Sequence, residues 1–205
     1  MNYRMVIHTV GQVVLLEAGM LLLPLLVSLY YGEGGFMAYL QTAAIAAAVG
    51  ALMTFAFRPK NHNVFAKEGF SIVSMGWLML SAIGALPFVL SGDIPSYVDA
   101  FFETVSGFTT TGASILTDVE ALSRGNLFWR SFTHWVGGMG VLVLVTIIAE
   151  KLPNRSMNIL RAEMPGPIVG KLVPKTKDTS RILYLIYLGM TVLVTVLLVV
   201  GGMPL

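Results

Sequence analysis

Six consecutive residues, Thr109-Thr110-Thr111-Gly112-Ala113-Ser114, crowd hydroxyl and carbonyl oxygens into one short stretch. Oxygens so arranged could strip water from a cation. A cation leaving water loses several strong oxygen contacts, and backbone carbonyls of an extended strand can replace them when several chains or repeats converge on one axis. Threonine adds a hydroxyl to the same column. Glycine lacks a Cβ, so Gly112 can adopt the dihedrals that turn successive carbonyls inward. Glu103 lies shortly before this stretch. It could brace the loop by accepting hydrogen bonds, or contact the ion directly. Other chemistries find little support. There is no cysteine, so thiol catalysis and zinc-thiolate sites are excluded. His8, His62 and His134 are scattered, with no His-Glu-x-x-His spacing.

The element that must position this loop precedes it. From Tyr97 to Phe108, Val98, Phe101, Phe102 and Val105 recur at helical spacing. Pro95 and Ser96 supply a start, Asp99 sits in the first turn, and Gly107 is a stop. About 11 helical residues span only about 16 Å, half a bilayer. A half-span helix that enters and leaves on one side is re-entrant, and it is tolerated only where protein or water covers its backbone. Its C-terminal dipole would favour a cation near the membrane centre.

Around it the chain is strongly apolar. Hydrophobic residues make up 56% and charged residues 12%, and the mean hydropathy is +0.78. Soluble domains carry about 25% charge, so the expected class is an all-α integral membrane protein. About five stretches reach the roughly 20 residues a span requires. They are Val10–Tyr31, Phe36–Phe57, Phe70–Leu90, Leu127–Ala149 and Ile182–Val200. The first is expected to be a retained span and not a cleaved leader. The net charge of +2 argues against nucleic-acid binding. Loop charge sets the orientation. Arg4, the second loop (Arg58, Lys60, Lys67) and the fourth loop (Lys151, Arg155, Arg161, Lys171, Lys175, Lys177, Arg181) are basic. Glu33, Asp93, Asp99 and Glu120 mark the other side. A cytoplasmic N-terminus and an outer C-terminus follow.

Three stretches resemble the membrane subunit of Trk/Ktr-type potassium uptake systems. They are Asp99-Ala-Phe-Phe-Glu-Thr-Val-Ser-Gly-Phe-Thr-Thr-Thr-Gly-Ala-Ser114, His134-Trp-Val-Gly-Gly-Met-Gly140 and Arg161-Ala-Glu-Met-Pro-Gly-Pro167. The resemblance implies a potassium-channel-like fold, with four helix–pore-loop–helix repeats around one pore and one key glycine per repeat, here Gly112. It implies that potassium is held by oxygens of Thr110, Thr111, Gly112 and Ala113, with Glu103, Thr109 and Ser114 supporting the filter. It divides the chain into two leading helices (1–68), one pore unit (69–152), a basic loop (153–181) and the first helix of a second repeat (182–205). The remaining repeats of the same pore would lie outside this sequence, which reads as an N-terminal part. The resemblance further implies an inner-membrane location, a homodimer and a cytosolic nucleotide-binding regulatory subunit on the basic face. Membrane lipid is the other expected partner of that face. No cofactor is expected beyond potassium as the transported ion, and no enzyme activity.

Gly137, Gly138 and Gly140 allow close helix packing in lipid and are candidate hinge residues. Glu17, inside the first span, is expected to make a polar contact between helices. Arg130 is expected to snorkel to the headgroups, and His134 to be satisfied within its helix. Two readings of different kinds stand beside the pore. One is a carrier with a broken-helix midplane site, which should saturate and show counter-flow. The other is a truncated membrane module that conducts nothing.

Overall fold

In a computed structural model, residues 2–59, 66–151 and 176–202 are described. They form helices and connecting loops, with no strand among them. The helices are α1 (Tyr3–Met20), α2 (Leu22–Tyr30), α3 (Phe36–Ala56), α4 (Ala66–Gly84), α5 (Leu86–Ser91), α6 (Tyr97–Phe108), α7 (Arg124–Lys151) and α8 (Thr176–Val200). The chain divides into two compact units, Met1–Gly138 and Met139–Leu205. Residues 60–65 and 152–175, with His62, most of the basic loop and the Arg161–Pro167 motif, lie outside the described residues.

Among the described residues, Tyr3–Tyr30, Phe36–Ala56, Lys67–Ser91 and Ile182–Val200 are long and apolar enough to cross a membrane. α7 is 28 residues long, and its side chains beyond Gly140 are not among those described. The first span starts earlier than apolarity alone indicates. Asn2 caps α1 by accepting from the Met5 amide at 3.2 Å, which carries Arg4 into the helix. α8 likewise starts at Thr176 and not at Ile182. Charged residues such as Lys177 and Arg181 are good helix formers. The apolar run therefore marks only the lipid-matched part of each helix.

Two spans are broken by proline. Pro24 lies three residues after the α1/α2 break at Leu21, and Pro87 follows the α4/α5 break at Ala85. A proline removes the bond to the carbonyl four residues back and its ring crowds that carbonyl, here at Met20 and Ile83. α5 then ends at Gly92, whose φ of +85° supplies a left-handed cap.

The core of the first unit gathers Val14, Leu21, Tyr39, Phe88, Phe108 and Trp129. α1 and α3 cross at glycines. A Cβ on Gly11 would lie 2.7 Å from Met53 Cβ, and one on Gly50 2.9 Å from the Gly11 carbonyl oxygen. Such contacts let helix backbones approach closely where lipid offers no hydrophobic drive. The start of α7 is held by acids from elsewhere in the chain. Glu33 accepts from the Arg124 and Gly125 amides at 2.7 and 3.1 Å. Asp93 Oδ2 accepts from the Ser123 amide and hydroxyl at 2.9 and 2.7 Å. Asn126, fully buried, donates to Ser91 Oγ and Asp93 Oδ2, both at 2.7 Å, and accepts from the Tyr39 hydroxyl.

This network generates the first prediction. Replacing Asn126 by Ala leaves Tyr39 and Asp93 short of partners and should cost about 1–3 kcal/mol. A cycle with Tyr39→Phe, read as thermal unfolding in detergent, should show coupling above about 0.5 kcal/mol. Additive losses would mean that the two side chains do not work as a pair.

Candidate functional site: the α6 loop

α6 occupies Tyr97–Phe108, as the apolar spacing predicts. Ser96 caps it in an extended conformation and accepts from the Asp99 amide. Its other end stops in a left-handed turn. The Thr110 amide donates to the Gly107 carbonyl and the Thr111 amide to the Ser106 carbonyl, both at 2.9 Å. This pair of bonds is the Schellman arrangement, whose left-handed residue is usually glycine. Here it is Thr110, at φ +57°, the only non-glycine residue with positive φ among the described residues. A β-branched residue there is an outlier and costs on the order of 1–3 kcal/mol. Gly112 follows at φ +76°.

Thr109 through Ile115 are exposed in the chain. Thr109 Oγ1 donates to the Val105 carbonyl at 2.7 Å and lies 2.8 Å from Thr111 Oγ1. A hydroxyl has one proton, so Thr111 is the donor in the second contact. Ser106 Oγ donates to the Ala113 carbonyl at 2.6 Å. That oxygen, expected on the sequence to face an ion, is tied back onto α6.

The return of the loop is fixed from below by Glu103, which is 1% exposed. Its Oε1 accepts from Ser114 Oγ at 2.5 Å and from the Ile115 amide at 2.7 Å. Its Oε2 accepts from Arg130 Nε at 3.0 Å. Ser114 Oγ in turn accepts from the Leu116 amide at 3.0 Å. These bonds tie the carboxylate of Glu103 to the return of the loop and to α7. Arg130 corrects an expectation. It turns inward to pair with Glu103 and does not reach for the headgroups, because a buried carboxylate demands a charged partner. Spacing on α7 could not show this, since the partner lies 27 residues away on another helix. His134 Nδ1 is 2.9 Å from the Arg130 carbonyl, the within-helix contact expected of it.

α7 backs directly onto the end of α6. A Cβ on Gly137 would overlap the Phe108 carbonyl, and one on Gly107 would sit 3.0 Å from Thr133 Cβ. Phe108 is buried between Trp77 and Trp129, with ring centroids 6.0 and 6.3 Å away. Trp129 Nε1 donates to the Gly84 carbonyl at 2.8 Å, beside the α4/α5 break. Glu33, Asp93 and Asn126 were legible only as loop charges and a polar residue. Their capping role needed the fold.

Two outcomes test this account. Replacing Glu103 by Ala should raise hydrogen exchange of the Ile115 amide at least about tenfold, since a bond to a charged group is worth about 1.5–3 kcal/mol. Unchanged exchange would remove Glu103 as the brace. Replacing Thr110 by Gly should raise thermal stability by about 1 kcal/mol by relieving its backbone, whereas a loss would mean the threonine side chain stabilises the loop more than its conformation costs.

Comparison with known proteins follows the same residues. A family model described as "TrkH: Cation transport protein" matches residues 35–203. The Trk system potassium uptake protein TrkH of Salmonella typhimurium is 40% identical over 207 residues, covering 100% of this chain and 43% of that protein. TrkH of Escherichia coli K12 is 39% identical, covering 99% of this chain and 42% of that protein. The crystal structure of the potassium transporter TrkH from Vibrio parahaemolyticus superposes with a TM-score of 0.80 at 33% identity, over 100% of this chain and 41% of that one. The chain thus spans about two fifths of the length of the relatives it matches.

Proposed function

The chain belongs to the TrkH family of cation transport proteins, and on that premise we propose that it contributes one pore unit to a potassium uptake protein. The observation that carries this reading is the backbone of the α6 loop. A strand with negative φ throughout points successive carbonyls in opposite directions. Thr110 and Gly112 have positive φ with Thr111 between them, which breaks that alternation and lets carbonyls share one side. The potassium relatives carry the same region, since the family match runs through it.

In this reading Thr110, Thr111 and Gly112 offer oxygens to potassium, and Ala113 contributes while holding Ser106. Glu103, Thr109 and Ser114 keep the strand in place. An ion needs oxygens from several sides, so the remaining repeats of the same pore complete the ring. α6 is re-entrant, and α4 with α5, α6 and α7 form one helix–pore-loop–helix unit over residues 69–152, behind the leading helices of 1–68. The basic segment 153–181 faces the cytoplasm, α8 opens a second repeat over 182–205, and the chain makes five crossings of the inner membrane with its N-terminus inside. Lipid headgroups and a nucleotide-binding regulatory subunit would meet the basic face, and a second copy would complete a dimer. Gly137 keeps α7 against the Phe108 carbonyl, while Gly138 and Gly140 are the candidate hinge beyond it.

The test is Gly112→Ser in the native protein reconstituted in liposomes. The ratio of rubidium to sodium uptake should fall about tenfold, equivalent to about 1.4 kcal/mol. An unchanged ratio would remove Gly112 and its neighbours from the ion path.

A further inference from the structure

Glu17 is a carboxyl group that the pore reading does not use. It lies in α1, one turn before the break at Leu21, inside the first apolar span. It is 0% exposed. Neither of its oxygens has a hydrogen-bond partner among the described residues. The polar contact between helices expected of it is not made. Its Oε1 faces the α4/α5 break, where a Cβ on Gly84 would lie 3.0 Å from it. The same point lies 2.9 Å from Thr104 Cγ2 and 3.3 Å from Phe108 Cε2. Glu17 is therefore wedged against α4, with a methyl group and an aromatic ring of α6 beside it.

Among the described residues, the groups around it supply no counter-charge. On α1 itself, Arg4 and His8 lie nine or more residues away, about 13 Å along the helix, and His8 Nδ1 is 2.8 Å from the Thr54 carbonyl. α3 carries no charged residue. Its Tyr39 hydroxyl goes to Asn126, and its Thr42 hydroxyl to the Ala38 carbonyl at 2.7 Å. On α4, Lys67 and Glu68 sit in the first turn, at the end opposite Gly84. On α6, Asp99 is in the first turn, and Glu103 is already paired with Arg130. Thr104 Oγ1 donates to the Ala100 carbonyl at 2.6 Å, leaving its methyl toward Gly84.

An ionised carboxylate in such a place has neither a cation nor a donor, and burying one is prohibitive unless it is neutralised. An ionisable residue inside a span is by default a candidate functional site. Among the described residues no three His, Cys, Asp or Glu groups gather to hold a metal ion. We propose that Glu17 is a proton-binding site, held as the neutral acid in the folded protein. The reaction is one carboxylate plus one proton from water, giving one carboxylic acid, with no other bond changed. This assignment is independent of the pore reading, because it rests on burial and missing partners alone.

Glu17→Gln, which matches the neutral acid in shape, separates the outcomes in the native protein in lipid. Infrared spectra at neutral pH should contain a protonated-carboxyl C=O band that Glu17→Gln removes. The folded protein holds a proton that the unfolded chain releases above about pH 4, so stability must fall as pH rises from there until Glu17 itself ionises in the fold. Where Glu17 stays neutral in the fold, the folded-to-unfolded ratio of the wild type should drop by up to about tenfold per pH unit more than that of Glu17→Gln. A missing band, or parallel pH profiles, overturns the proposal. So does a wild-type stabilisation by potassium or sodium chloride that Glu17→Gln loses, which would make Glu17 an ionised cation ligand.

Discussion

A carboxylate removed from water must receive donors or a cation from the protein. Glu103 receives both. Ser114 and the Ile115 amide reach one oxygen, and Arg130 reaches the other. This single side chain joins the middle of α6, the return of the exposed loop and the start of α7. Without it the loop would be fixed only by the cap on α6 and by the Ser106 bond to the Ala113 carbonyl. With it, the stretch from Thr109 to Ser114 is pinned at both ends and its exposed oxygens are held in place.

The brace works only because α6 and α7 can touch. Gly107 and Gly137 remove the side chains that would hold the helices apart, and the Phe108 carbonyl lies where a Gly137 side chain would be. Trp129 uses the space on the other flank. It covers Phe108 with its ring and ties its Nε1 to Gly84. Gly84 in turn stands at the break that Pro87 imposes on α4 and α5. A proline beside α4, glycines in α6 itself and in α7, and a tryptophan thus combine to seat one short helix. The acid caps from Glu33 and Asp93 fix where α7 begins, and so set Arg130 at the height of Glu103.

Much of this was readable in the sequence, and the reason differs by element. α6 was legible almost to the residue because its apolar positions recur at helical spacing after Pro95–Ser96, although the expected stop, Gly107, lies inside the helix and packs against Thr133. The spans were legible as apolar runs, but α1 and α8 extend past those runs because apolarity reports lipid contact and helical bonding does not depend on it. The loop itself was legible as the irregular stretch after α6, where Thr109 to Ile115 are exposed. Partnerships across the fold were not. Arg130 looked like an interfacial cation because nothing in its own helix could pair with it. Glu33 and Asp93 looked like markers of sidedness because their partners are backbone amides, which every residue carries and no sequence reveals. Ala113 was expected to offer its carbonyl to an ion, and only the fold shows that oxygen accepting from Ser106.

Thr110 holds a conformation that costs stability. The left-handed position that ends α6 would be cheapest as glycine, and a glycine stands only two residues later. The chain nevertheless places a β-branched residue there, and the surrounding bonds hold it. Two amide bonds close the turn behind it, and the hydroxyls of Thr109 and Thr111 meet beside it. Strain maintained by this many contacts is a mark of functional positions. A turn needed only to end a helix would have no use for the extra hydroxyl or for a φ reversal repeated at Gly112. The strain therefore belongs to the exposed oxygens of the loop, and the network beneath it, centred on Glu103, is what keeps that conformation populated.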